Sequence, residues 1–276
     1  HRCAVLTRPP RWFRVSRAHQ RFHCPKERRI IDHGARACGL AVIETRPGLI
    51  EWHGRTMDRF LNRTEAGKAL ARSLADKGYA DPVIQALPRG GVPVGIEVAR
   101  HLHAPMDIVM VRKIGVPGQP ELAAAAVVNG DDPQIVVNET IAVQAGLSHD
   151  AINALAQAQL EEIARRRAIY LKDRAPIPIK GRTVIVVDDG IATGATMRAS
   201  LKALRRRAPA RLVLAVPVAA PDTLATLRGE VDEVVCLLRP VPLFGVGAHY
   251  DDFGQTSDDE VIRLMNEADG FVHPPG

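Results

Sequence analysis

The chain has 276 residues, 46% apolar and 25% charged, the proportions of an ordinary globular protein, and no apolar run approaches the roughly 18 residues of a membrane span. Its net charge of +6 and pI of about 9.4 come from one end, because residues 1–56 carry 12 of the 37 Lys+Arg but only 4 of the 31 Asp+Glu. Residues 57–276 hold 25 basic against 27 acidic groups, so the high pI is not a nucleic-acid footprint for the body of the chain.

Residues 1–56 read as a separate segment. They are Arg-rich, hold both tryptophans and five of the ten histidines, and show no sustained helical or alternating period. Cys3, Cys24 and Cys38 also fall here, with only Cys236 beyond and no CxxC pair, which argues against a disulfide framework or a zinc site. We expect an N-terminal extension outside the fold, disordered or not native to the protein, with the folded domain spanning 57–276. A basic arm touching nucleic acid or an acidic partner is the alternative. Glu27, Asp32, Glu44 and Glu51 are unusual for an organelle-targeting peptide, and with no signal peptide evident a cytoplasmic location is the default.

From Met57 the elements follow one another closely. Asn62 or Thr64 can cap a helix with Ala66, Leu70 and Leu74 on one face and Gly78 closing it. Residues 83–87 form a short strand, Pro88 to Gly91 a turn, and 94–103 a helix. Residues 108–111 make a second strand ending in Arg112-Lys113. Residues 114–122 are predicted to form a mobile loop, since Gly115, Pro117, Gly118 and Pro120 suit neither helix nor strand. A strand over 135–137 and a long helix over 150–171 come next; Arg165 to Arg167 read as its solvated last turn. Beyond residue 183 the pattern is strand 184–187, helix 197–207, strand 211–218, helix 222–227, strand 234–238, an irregular aromatic stretch 241–256, and a final helix 258–268. Alternating strands and helices predict an α/β fold, a doubly wound, mostly parallel sheet.

The segment 184–196, Val-Ile-Val-Val-Asp-Asp-Gly-Ile-Ala-Thr-Gly-Ala-Thr, carries most of the chemistry. A buried strand ending at Val187 lifts Asp188 and Asp189 to the carboxyl edge of the sheet, where open α/β folds bind ligands. The Gly190–Thr196 turn offers backbone N–H groups, the hydroxyls of Thr193 and Thr196 and the positive end of the following helix to a phosphate. Two carboxylates beside such a cradle suit a ribose 5-phosphate, which presents both a diol and a phosphate.

This segment resembles the PRPP-binding signature of the type I phosphoribosyltransferases, and two companions occur in matching order. Leu87-Pro88-Arg89-Gly90-Gly91 resembles that family's pyrophosphate-binding turn, and Arg112-Lys113 resembles its basic edge before the flexible loop. The likeness spans roughly 58–268 and is strongest to a bacterial branch of predicted phosphoribosyltransferases, which shares an aromatic segment before a capped last helix, here Gly247 to Glu260.

The resemblance implies a fold with a small C-terminal hood at about 241–256. It implies PRPP contacts from Asp188, Asp189, Gly190, Ile191, Ala192, Thr193, Gly194, Ala195 and Thr196, and pyrophosphate contacts from Arg89, Gly90 and Gly91. Arg112 and Lys113 become catalytic cations where charge builds on the leaving group. Mg²⁺ is the implied cofactor, held at Asp188 and Asp189 directly or through water. The implied reaction is displacement of pyrophosphate by a nitrogenous, nucleobase-like acceptor, with the 114–122 loop closing to exclude water. Acceptor contacts would come from Phe244, His249 and Tyr250 in the hood, which also offers Phe253. Ala192 stands where oxopurine salvage enzymes of the family carry an Asp, which weakens a hypoxanthine or guanine assignment. A homodimer follows by analogy only.

Other readings fit less well. Acidic pairs after strands occur in receiver-like Mg²⁺ domains, but those do not require the Thr-Gly-x-Thr cradle. A Walker A loop would need a Lys before its last Thr, and Gly245-Val246-Gly247 lacks the third glycine of a dinucleotide site. His101 and His103 read as solvated residues at a helix end, and Cys236 as a small buried apolar residue. The functional rival is a regulator that binds PRPP or a nucleotide without turnover.

Overall fold

The computed structural model describes residues 50–52, 55–128, 134–172 and 174–271. The expectation for the N-terminal extension lies outside the described residues, except that Ile50–Trp52 (β1) and Arg55–Met57 (β2) pair as a short antiparallel ladder.

A five-stranded parallel sheet forms the centre. Its members are Pro82–Ala86 (β3), Met106–Ile108 (β4), Thr183–Val187 (β8), Arg211–Val218 (β9) and Glu233–Leu238 (β10), in spatial order β10-β9-β8-β3-β4. Successive strand side chains point to opposite faces, and both faces here meet apolar partners. Ile84, Ala86, Ile185, Val187, Val213 and Ala215 share one core with Leu70 and Leu74 of helix α1 (Arg63–Ala75), Val94 and Ile96 of α2 (Gly91–Leu102), and Val261 and Met265 of α7 (Asp258–Asp269). Val83, Val184, Val186, Leu212 and Leu214 share the other with Met197, Leu201 and Leu204 of α5 (Ala195–Arg206) and Leu224 of α6 (Pro221–Leu227). Burial on two faces is why β8 reads Thr-Val-Ile-Val-Val with all five residues buried. The fold is therefore the doubly wound α/β arrangement expected.

Two expectations are corrected between β4 and β8. The second parallel strand stops at Ile108. Residues 114–122 are not a loop: Val111–Val116 (β5) and Gln119–Val128 (β6) form an antiparallel hairpin around Pro117-Gly118, and Gln134–Val137 (β7) completes a three-stranded sheet. Gly118 has φ +81°, so the Pro-Gly pair supplies a turn that few other residues could. Helix α3 (Glu139–Gln144), capped by the Asn138 side chain, follows.

The third correction concerns α4 (His149–Leu171): its arginines precede the last turn, and while Arg165 is solvated as expected, Arg167 is tied down. The Arg167 guanidinium donates to both carboxylate oxygens of buried Asp107 at 3.1 and 3.3 Å, and Asp107 also accepts from the backbone N–H groups of Ile108 and Ile177. Arg165 and Arg166 both donate to Glu162. No helix among the described residues is long and apolar enough to cross a membrane.

Candidate active site

β8 delivers Asp188 and Asp189 to the carboxyl edge of the sheet, where both are partly exposed rather than packed inside it. The Asp188 carboxylate accepts the backbone N–H of Asp189 at 2.9 Å. Loss of solvent pushes the Asp188 carboxyl well above the usual carboxylate range, and repulsion from Asp189 adds to this. Desolvation raises Asp189 as well, opposed by its hydrogen bond from Arg63.

The turn after β3 packs directly onto this pair. The Pro88–Arg89 peptide is cis. A Cβ on Gly90 would collide with the Asp189 carboxylate, reaching its Cγ at 2.6 Å; one on Gly91 would come within 2.7 Å of the Val187 carbonyl oxygen and 3.0 Å of the Asp188 Cα. Close approach of two backbones thus requires glycine at 91, whereas at 90 the obstacle is a carboxylate side chain. The Arg89 side chain reaches 3.5 Å from Asp258 at the start of α7, and Asp258 also accepts from the Tyr170 hydroxyl at 2.6 Å.

The 190–196 loop divides its labour. Ile191 is buried, its N–H donates to the Val218 carbonyl and its own carbonyl accepts from Ala220, so it anchors the loop and offers no free amide. The Ala192 carbonyl accepts from the Thr223 hydroxyl at 2.7 Å. Gly190 is closed in by Val246 and Val218, and Gly194 caps α5 at φ +76°. Beyond these anchors, Ala192, Thr193, Ala195 and Thr196 are exposed, and no side chain caps the first turn of α5. Uncapped helix amides with the positive dipole end form an anion cradle.

Arg112 and Lys113 diverge, as neighbours on a strand must. The Arg112 guanidinium donates to Glu162 on α4 at 2.9 Å. Lys113 instead lines a cavity of about 490 Å³ together with Thr193, Gly194, Thr196, Arg198 and Lys202. Of the expected pair, only Lys113 is brought to the 190–196 loop.

The hood residues also separate. Phe244 is 90% exposed. His249 Nδ1 lies 3.0 Å from the Asp58 carbonyl. Tyr250 is buried, stacks between Phe60 and Phe253, and donates its hydroxyl to the Asp189 carbonyl at 2.5 Å. Burial pushes its phenol up, with Asp189 adding to the effect. Tyr250 is therefore a strut beneath the acidic pair rather than an acceptor contact. The hood has an unforeseen second component, because Phe60 and Leu61 exchange backbone hydrogen bonds with His249, Asp251 and Asp252.

The residue that sequence reading misses is Arg63, the first of α1. Its Nε donates to Asp189 Oδ2 at 2.8 Å, its Nη1 donates to the Gly254 carbonyl at 2.6 Å, and its guanidinium lies 3.8 Å from the Phe253 ring centre. Asp189 lies 126 positions along the chain, so no local pattern announces the contact; only the Asn62 cap marks where α1 begins.

Fold and geometry together define a doubly wound α/β domain in which an acidic pair, a glycine turn and a threonine-bearing helix start meet at one sheet edge. Comparison with known proteins places it more closely. A family profile described as "Phosphoribosyl transferase domain" matches residues 57–252. A protein of Mycobacterium tuberculosis strain H37Rv, named "Putative phosphoribosyl transferase Rv0571c", is 44% identical over 212 residues, which is 77% of this chain and 47% of that protein. Its counterpart in strain CDC 1551 matches equally, so the chain spans about half the length of these relatives. The crystal structure of TT1426 from Thermus thermophilus is 40% identical with a TM-score of 0.68, covering 76% of this chain and 98% of that one. The chain belongs to the type I phosphoribosyltransferase family.

Proposed function

We propose that this domain transfers the 5-phosphoribosyl group of PRPP to a nitrogenous, nucleobase-like acceptor and releases pyrophosphate. The observation that carries this reading is the packing of the Gly90–Gly91 turn against Asp188 and Asp189. A sugar that carries a diol and a diphosphate on one ring would fill both places.

In this reading Asp188 and Asp189 accept hydrogen bonds from the 2- and 3-hydroxyls. The exposed part of the loop, Ala192, Thr193, Ala195 and Thr196, holds the 5-phosphate with backbone and hydroxyl donors, while Gly190, Ile191 and Gly194 shape the cradle. Arg89 with the Gly90 amide binds the pyrophosphate, while the Gly91 amide donates to the Leu87 carbonyl and fixes the turn. Lys113 supplies positive charge as that group departs, and Arg112, bonded to Glu162, holds the hairpin in place. Catalysis is then mainly positioning and charge stabilisation. The acceptor enters from the hood, with His249 and Phe244 rather than Tyr250 as its available side chains.

The donor set suits Mg²⁺: two adjacent carboxylates stand at a strand end with Arg63 bonded to only one of them, and Mg²⁺ characteristically takes one or two carboxylates plus substrate phosphates. When bound there it would neutralise phosphate charge.

The test is pyrophosphate release from PRPP and Mg²⁺ across a panel of nucleobases and related amines. Release that depends on one acceptor is the expected result. Tight PRPP binding without release for any acceptor would instead assign a PRPP-sensing regulator, and no PRPP binding would overturn both.

A further inference from the structure

Arg63 occupies a position that none of the site's expected components requires. Its side chain is only 13% exposed, and its donors are divided between the acidic pair and the hood: Nε to Asp189, Nη1 to the Gly254 carbonyl, with the guanidinium face laid on Phe253. Phe253 in turn stacks on Tyr250, whose hydroxyl holds the Asp189 backbone carbonyl. Asp189 is thus gripped at both ends, by Arg63 at Oδ2 and by Tyr250 at its main chain. The Arg63 bond engages Oδ2 alone and leaves Oδ1 outside the contact.

Resting on the phosphoribosyl reading above, we infer that Arg63 is a positioning residue for the ribose seat: it commits one oxygen of Asp189 to the hood and leaves the other for the sugar hydroxyls. A lone carboxylate rotates about its last torsion with little resistance. A planar guanidinium held on three sides removes that freedom, because its fork fixes direction as well as charge. The same side chain couples the hood to the sugar site. The hood's backbone ladder to Phe60 and Leu61 ends two residues before Arg63, so displacement of the 252–254 segment would be felt at Asp189.

The experiment is calorimetric titration of wild type, Arg63→Ala and Arg63→Lys with three probes in Mg²⁺ buffer: PRPP, ribose 5-phosphate and inorganic pyrophosphate. Arg63→Ala is expected to weaken PRPP and ribose 5-phosphate by about ten- to a hundredfold, the scale of losing a charged hydrogen bond, and to leave pyrophosphate within about twofold. Arg63→Lys, which keeps charge without the fork, recovers only part of the loss and serves as the test variant should Arg63→Ala fail to fold. Equal weakening of all three probes would mean general disruption of the site and would overturn the inference. So would unchanged affinity for the two ribose-bearing probes, or full recovery with lysine. Failure of the wild type to bind either ribose-bearing probe strikes the phosphoribosyl reading itself, whereas wild-type binding with indifferent Arg63 variants strikes only the role of Arg63.

Discussion

Gly90 and Gly91 are adjacent yet make different demands. An added methyl at Gly90 meets a side chain, the Asp189 carboxylate, whereas one at Gly91 meets backbone, the Val187 carbonyl and the Asp188 Cα. The carboxylate can swing away at the expense of its bond to Arg63; the backbone cannot. Gly90→Ala is therefore expected to lower PRPP affinity by about tenfold or more with little change in stability. Gly91→Ala should cost about 1–3 kcal/mol of folding free energy, as overpacking typically does. Urea unfolding alongside PRPP titration separates the two, and identical behaviour of the variants would refute the assignment of contacts. The acidic pair and both glycines are legible in the sequence because strand, turn and helix start are contiguous there. Arg63, Tyr250 and the Arg112–Glu162 pair are not, since each partner is supplied by a distant element. In sequence Tyr250 suits packing and acceptor contact equally, and its burial between Phe60 and Phe253 decides for packing.

At the level of elements, the β5–β6 hairpin is held to α4 by Arg112 and Glu162, with Arg165 and Arg166 bonded to the same carboxylate. These arginines, Arg165 first, hold Glu162 down to about 2. A depressed carboxylate contributes stability above its unfolded value of about 4.3 and loses it as pH falls through the folded one. Glu162→Gln should accordingly lower Tm by about 2 °C, the modest effect of an exposed cluster, equally at pH 6 and pH 8. The gap to wild type should close as pH drops below about 4. A gap that instead grows with acidity would show that the cluster does not depend on ionised Glu162. The hairpin resists sequence reading because its glycines and prolines count as breakers when weighed singly. Pro117-Gly118 between Val116 and Gln119 is nonetheless a turn signal of the hairpin kind, and the β-branched and alanine-rich flanks fit two strands. Strands β3, β8, β9 and β10 are legible to within a residue or two because burial on both faces leaves long aliphatic runs bounded by turns.

Across the molecule, the five-stranded sheet places three separate turns at one edge: the Arg89–Gly91 turn after β3, the Asp188–Thr196 loop after β8, and the hairpin after β4. Parallel strands make this unavoidable, since all their carboxyl ends point the same way. The hood completes the arrangement by joining residues 58–63 to 249–254, near the two ends of the described fold. That closure cannot be read locally. It also explains how an aromatic stretch with no regular period, residues 241–256, is ordered: backbone pairing to Phe60 and Leu61 supplements its one short 3-10 helix, Val246–His249.

A crystal structure of the full chain with Mg²⁺ and PRPP would reveal whether a sugar-phosphate seat lies at this edge. The ribose hydroxyls are expected on Asp188 and Asp189, the 5-phosphate against Thr193 to Thr196, and the diphosphate at Arg89 to Gly91. Density for PRPP elsewhere on the molecule, or a sugar turned away from both carboxylates, would contradict it.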